Sequence, residues 1–342
     1  MSQAYQSAVV VGATAWGTTL AVHLARNGQP TTLLARTPEE AEALRSARSN
    51  ERRLPGVMFP ANLTVGSDPA TLAGAGLVVF VVPSRTLEAN ATALAGHVPP
   101  QATLLSAVKG IEASTGRRMS QVIGDALPGR PVAVLSGPNL SREVAAGLPG
   151  STVIATTNAD LDALQSAFHS PSLRVYTSLD VIGVEMGGAL KNVVAIAAGM
   201  VDSLGFGDNA KGALLTRGLA EMSRLGVAAG ADPMTFQGLA GMGDLIASSY
   251  NPHARTRRLG ELVADGATLQ GALEVLGETA EGATTIEAAR DLAARLGVEM
   301  PITDGLHRVL YEGQPPLRAM QELMSREPRS ERAAPSGPGR LS

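Results

Sequence analysis

Cysteine is absent from all 342 residues. That excludes disulfides, a thiolate nucleophile and a cysteine-ligated metal, and it suits a reducing, cytoplasmic setting. Aromatic residues make up only 3 %, with a single tryptophan, Trp16. A core must then be built from Ala, Val, Leu and Ile, with close backbone approaches at the 38 glycines. An excess of one charge is missing too, the net charge being -3. Such a balance argues against a nucleic-acid scaffold or a basic membrane-surface binder. The start, MSQAYQSAVVVGA, lacks the basic opening and long apolar core of a secretion signal. The run 182–200 is long enough to cross a membrane, but Glu185 and Lys191 inside it would be costly in lipid. It reads instead as a core helix of a soluble protein. No metal site is expected.

What is present suggests roughly two domains. Ala8–Gly12 is an apolar run ending in glycine, followed by a helical pattern over 16–27 and a second strand at 31–35. The turn reads Gly12-Ala13-Thr14-Ala15-Trp16-Gly17, close to the dinucleotide pattern G-x-G-x-x-G. Gly12 supplies the tight turn, and Gly17 lets the helix pack on the strand. Thr14 stands where a second glycine would let the backbone reach a pyrophosphate. At the end of the next strand stands Arg36 in place of the acid that selects NAD, which favours NADPH or use of both cofactors. Further strands are expected at 77–82, 103–107, 132–136, 151–156 and 173–177, alternating with helices. Their unbroken apolar runs predict a parallel, doubly covered sheet, an α/β Rossmann-type domain. Ligands in such sheets lie past the carboxyl ends of the strands. Those ends carry Val82-Pro83-Ser84, Lys109 and Ser136-Gly137-Pro138-Asn139.

From Val181 the pattern turns helical. Val181–Leu204 is apolar on nearly every face, which predicts a buried helix. Lys191 and Asn192 lie within it. A buried lysine either finds partners or loses its proton, so Lys191 is a candidate for chemistry. Its plainer reading is a lysine that snorkels or pairs with Glu185. Glycine-rich turns are expected at 205–211 and 239–245, the second holding Asp244, and another turn at 279–282 holds Glu281. Arg255, Arg257 and Arg258 form a basic cluster suited to a phosphate-bearing substrate. The expected organisation is a dinucleotide-binding domain over 1–180, an all-helical substrate domain over 181–327, and a disordered tail over 328–342.

The segments GGALKNV (187–193), GFGDNAK (205–211), TRGLAEM (216–222), SGP (136–138) and AGMGDL (240–245) occur in an order that resembles the bacterial NAD(P)-dependent glycerol-3-phosphate dehydrogenases. The similarity runs from about Ala8 to Arg326. It implies reduction of dihydroxyacetone phosphate to sn-glycerol 3-phosphate by NAD(P)H, for phospholipid synthesis. It implies Lys191 as general acid/base, with Lys109, Asn192 and Asp244 around it. Gly137 and Arg255 match substrate contacts. Ala15, Trp16, Arg36, Ser141, Thr279 and Glu281 match cofactor positions, and Arg255 and Lys109 lie near the cofactor too. Asn139, Ala254 and Thr256 depart from the family pattern at matched substrate positions, and Asn139 and Ala254 carry over only through their backbone. Like charge between the two lysines should lower the Lys191 pKa, and Asp244 should hold its ammonium.

Two other readings stand beside this one. One is a related dehydrogenase of another small hydroxy acid, which would leave Arg255 unused. The other is a dinucleotide-binding protein with a weakened site, for which Thr14, Ala254 and Thr256 speak. Oligomeric state is left open, a homodimer included.

Overall fold

Short apolar runs without polar alternation make strands that need cover on both faces. The computed structural model describes residues 5–277, 281–327 and 330–331. Thr279 and nearly all of the tail expected to be disordered lie outside the described residues. The strands are β1 (Ala8–Val11), β2 (Thr31–Leu34), β3 (Ser49–Asn50), β4 (Leu54–Met58), β5 (Leu63–Gly66), β6 (Leu77–Phe80), β7 (Thr103–Ser106), β8 (Val132–Ser136), β9 (Gly150–Thr156) and β10 (Leu173–Ser178). Helices α1 (Ala15–Arg26), α2 (Pro38–Ala47), α3 (Leu87–Leu94), α4 (Met119–Ala126), α5 (Ser141–Ala145) and α6 (Leu161–Phe168) connect them.

Eight strands form one sheet in the order β10-β9-β8-β7-β6-β1-β2-β5, and β3 and β4 form a separate hairpin. Side chains alternate across the sheet. Val10, Leu33, Val79 and Leu105 pack with residues of α1 and α6, while Val9, Val11, Val78, Phe80 and Leu104 pack with α3 and α4. Chain order reverses between β1 and β6, so a crevice opens beyond their carboxyl ends. One strand pair departs from the parallel expectation: β8 and β9 are antiparallel, with Ser136 opposite Val153. The link between them holds only the five-residue helix α5, whereas a parallel return commonly needs a longer crossover helix.

The second half is helical: α7 (Val181–Ser203), α8 (Gly207–Ala228), α9 (Asp244–Tyr250), α10 (Arg255–Ala264), α11 (Leu269–Leu276), α12 (Glu281–Leu296), α13 (Pro301–Tyr311) and α14 (Pro316–Met324). Asp180 caps α7, accepting from the Gly183 amide at 2.9 Å. Among the described residues α7 is the one helix long and apolar enough to span a membrane, yet 89 % of its most apolar window is buried within the protein. Helices α8, α9, α10 and α12 pack around it. At the α7–α10 crossing, a Cβ on Gly199 would strike the Arg257 carbonyl, and one on Gly260 would strike that of Ile196. The two helices therefore meet backbone to backbone.

Two expected turns are shorter than their glycines suggest. Helix α8 begins at Gly207, so Lys211 is helical. A π-helical turn over Leu239–Gly243 feeds directly into α9 at Asp244.

Candidate active site

Lys109 follows β7, Gly137 follows β8, Lys191 lies within α7 and Asp244 opens α9. The fold brings all four together. Asp244 is 2 % exposed, and its Oδ2 accepts from Lys109 Nζ at 2.5 Å. Lys109 Nζ also donates to the Gly137 carbonyl at 2.9 Å. On the other side, Asp244 Oδ1 lies 3.1 Å from Lys191 Nζ. Lys191 donates to Ser248 Oγ at 2.5 Å, and Ser248 donates to Asp244 Oδ1 at 3.3 Å. Asp244 and Ser248 stand four apart, on one face of α9. Asn192 is buried beside Lys191, and no hydrogen bond joins its side chain to this group among the described residues.

Burial is the chief cause that lowers the Lys191 pKa, to about 8. Asp244 opposes that fall, and Lys109 adds to it. The expected effect of like charge is thus real but secondary to loss of solvent. Lys191 pairs with Asp244, not with Glu185. Six positions along a helix turn the side chain by about 600°, so the two residues face apart. Glu185 instead accepts from Arg118 Nη1 at 2.6 Å and from Ser120 N and Oγ at 2.7 and 2.6 Å. Burial still pushes its carboxyl up.

At the dinucleotide-type turn, Gly12 has φ +109°, which glycine alone adopts readily. Gly17 sits so close to the Gly12 carbonyl that a Cβ would collide with it. Thr14 caps α1: its hydroxyl accepts from Gly17 N at 2.9 Å and donates to the Val81 carbonyl at 3.1 Å. Its side chain is therefore engaged inward, toward β6. The Ala15 and Trp16 amides belong to the first turn and have no intrahelical acceptor. Positive helix-end potential and open amides fit a pyrophosphate here. Trp16 is half-buried, and its indole Nε1 has no hydrogen-bond partner among the described residues.

Basic residues gather beside this turn. Asn50 ties the β3–β4 hairpin to it, donating to Ala13 O at 3.1 Å and Thr18 Oγ1 at 2.8 Å. Arg53 follows, and its electrostatic neighbours are Arg52, Arg255, Glu40 and Arg36. Burial first, then the three like charges, lowers the Arg53 pKa against the pull of Glu40. Arg36 and Arg255 are exposed and stand on opposite domains. Arg257 is turned inward and paired, so the basic cluster of α10 divides. Ala254 is the N-cap residue of α10 and offers no side-chain cap. Thr256 packs against Gly282.

The remaining predicted residues are less central. Ser141 opens α5, and its carbonyl accepts from Thr19 of α1 at 3.1 Å. Asn139 donates to Thr152 Oγ1 at 2.9 Å, and its Oδ1 has no partner among the described residues. The Glu281 carboxylate accepts from both Ser84 N and Ser84 Oγ at the end of β6. Ser84 was visible in sequence only as a strand end. Ser248 and Arg53 were not singled out at all. Their signal is positional: Ser248 lies one helical turn beyond Asp244.

Sequence profiles described as NAD-dependent glycerol-3-phosphate dehydrogenase N-terminus and C-terminus match residues 7–162 and 180–321. The chain belongs to this family. A glycerol-3-phosphate dehydrogenase [NAD(P)+] of Streptomyces avermitilis is 46 % identical, the alignment covering 95 % of this chain and 98 % of that one. The enzyme of that name in Escherichia fergusonii is 45 % identical, over 98 % and 100 %. A crystal structure of glycerol-3-phosphate dehydrogenase from Coxiella burnetii superposes with a TM-score of 0.91 at 35 % identity, covering 94 % of this chain and all of that one. The family's two parts map onto the Rossmann-type sheet and the helical half.

Proposed function

We propose that this protein reduces dihydroxyacetone phosphate to sn-glycerol 3-phosphate with NAD(P)H and catalyses the reverse oxidation. The observation that carries the reading is the buried Lys191 ammonium, held by Asp244 and Ser248 beside Lys109. Reducing a ketone needs a hydride and a proton. NAD(P)H supplies the hydride when bound. Lys191 stabilises the developing alkoxide by its charge and then gives up its proton. A pKa of about 8 places that proton near working pH. Asp244 keeps the ammonium aimed, and Lys109 adds a second cation at the carbonyl end of the substrate.

In this reading the substrate phosphate lies at the start of α10. Arg255 supplies a two-pronged donor, and the Thr256 amide in the first turn of the helix adds another, whereas the Ala254 amide is spent on the Asn251 carbonyl at 3.0 Å. Gly137 and Asn139 line the substrate from the first domain. The Ala15 and Trp16 amides hold the pyrophosphate, at a turn that Gly12 and Gly17 shape by their close backbone approaches. Ser141, Thr279 and Glu281 complete the cofactor site, and Arg36 favours NADPH or dual use. We place the domain boundary between Ser178 and Val181, where sheet gives way to helix. The grouping of Arg255 with the other arginines supports a phosphorylated substrate over a plain hydroxy acid.

Steady-state rates with dihydroxyacetone phosphate and each reduced cofactor test this. Turnover with at least one is expected. Inertness with both overturns the proposal.

A further inference from the structure

The GFGDNAK segment ends in Lys211, a lysine only 5 % exposed that the reaction above does not use. It lies near the start of α8. Its Nζ donates to Asp202 Oδ2 at 2.8 Å and stands 4.2 Å from the centre of the Tyr250 ring. The same Asp202 oxygen accepts from Arg257 Nε at 2.8 Å, with Arg257 Nη2 at 2.7 Å. Arg257 Nη2 also reaches Glu261 Oε1 at 2.9 Å.

Asp202 closes α7, Tyr250 closes α9, and Arg257 lies in the first turn of α10. One cluster thus joins the ends of the helices that carry Lys191, Asp244 and Arg255. At Gly199 and Gly260 the α7–α10 contact is backbone against backbone, and the side chains beside it, Val193, Ile196, Met200, Leu259 and Val263, are apolar and carry no directional bond. Two guanidinium nitrogens and the Lys211 ammonium converge on one Asp202 oxygen, and such charge-assisted bonds tie α10 and α8 to the end of α7.

We infer that Asp202, together with Lys211 and Arg257, is a positioning cluster that sets the start of α10 against α7. It fixes the distance from Arg255 to Lys191, and so the separation at which a substrate's phosphate and its carbonyl are gripped together. The inference rests on the proposed phosphorylated ketone substrate. Misplacement by about 1 Å costs roughly a hundredfold in rate when reacting groups must be aligned.

Turnover of dihydroxyacetone phosphate by the wild-type protein is measured first; its absence overturns the proposed function and this inference with it. Asp202→Asn then loses the carboxylate charge. Its kcat/KM for dihydroxyacetone phosphate is expected to fall by about tenfold or more. Its kcat/KM for dihydroxyacetone, which has no phosphate to place, stays unchanged, as do the NADPH affinity and the pH at which kcat falls. Equal losses on both substrates, or no loss on either, overturn the positioning role while leaving the proposed function standing. Arg257→Lys keeps the charge but removes the fork, and it decides the matter should Asp202→Asn not fold. A selective loss on the phosphorylated substrate supports the inference, and unchanged kinetics overturn it.

Discussion

Asp244 separates Lys191 from Lys109: one carboxylate oxygen faces each ammonium, at 3.1 and 2.5 Å. A single anion therefore holds two cations in one nearly dry site. Either lysine without it would face an unscreened like charge. In the proposed reaction this arrangement would keep Lys191 protonated enough to act as an acid and labile enough to release its proton.

Lys191→Met should abolish most turnover while leaving the fold intact. Loss of a general acid lowers kcat by about 10²–10⁴-fold. Steady-state kinetics beside thermal unfolding checks this. A variant that keeps more than a tenth of wild-type kcat would exclude the assigned role.

The pH dependence follows from the Lys191 pKa of about 8. Reduction uses the ammonium, so its kcat should fall as pH rises through about 8, while oxidation of glycerol 3-phosphate should rise over the same interval. Asp244→Asn removes the charge that opposes the pKa fall, so any residual reduction should decline at lower pH. Stability carries the matching sign. The folded-state pKa is below the ordinary 10.5, so the unfolded chain binds more protons between these values. Stability attributable to Lys191 therefore increases as pH rises from about 8 to 10.5, by roughly 3 kcal/mol at most. Denaturant unfolding of wild type and Lys191→Met across that window reads the difference.

Thr14 should prove to be a cap and not an obstacle. Its hydroxyl is committed to Gly17 N and Val81 O. Thr14→Ala should cost about 1 kcal/mol of stability, and Thr14→Gly only a few tenths. Cofactor affinity should stay within about twofold in Thr14→Gly, since a twofold change is only about 0.4 kcal/mol. A large gain in affinity from the glycine would contradict this.

Arg36 should set cofactor preference. A charge-assisted hydrogen bond to a 2′-phosphate contributes about 1.5–3 kcal/mol. Arg36→Asp should therefore weaken NADPH binding by about tenfold or more while sparing NADH. Equilibrium titrations of both reduced cofactors report the ratio, and parallel losses would rule out the role.

Much of this was legible in the chain. The apolar runs announced the sheet, and the all-round apolarity of Val181–Leu204 announced a buried helix with Lys191 inside it. Lys109, Gly137 and Asp244 were visible as chemistry at strand ends or in a glycine-rich segment. What stayed hidden depended on tertiary context. Ser248 could not be paired with Asp244 while 239–245 read as a turn, because the π-helical turn hides the helical spacing that follows. The reversal at β9 is set by a link whose helix is only five residues long. The β3–β4 hairpin has a two-residue first strand, and the Asn50 side chain anchors it to a loop far off in sequence. No periodicity marks such a segment, so Arg53 could not be placed beside Arg36 and Arg255. Glu185, the plainer sequence partner for Lys191, instead holds Arg118 and Ser120, residues far off in sequence that no helical spacing announces.

The scarcity of aromatics has a practical side. Trp16 is the only indole in the chain, and it stands half-buried in the first turn of α1, its Nε1 without a hydrogen-bond partner among the described residues. Selective excitation of that one ring reports on the dinucleotide turn and on nothing else in the molecule. If the proposed cofactor site is right, native fluorescence of this one ring follows cofactor binding without a label.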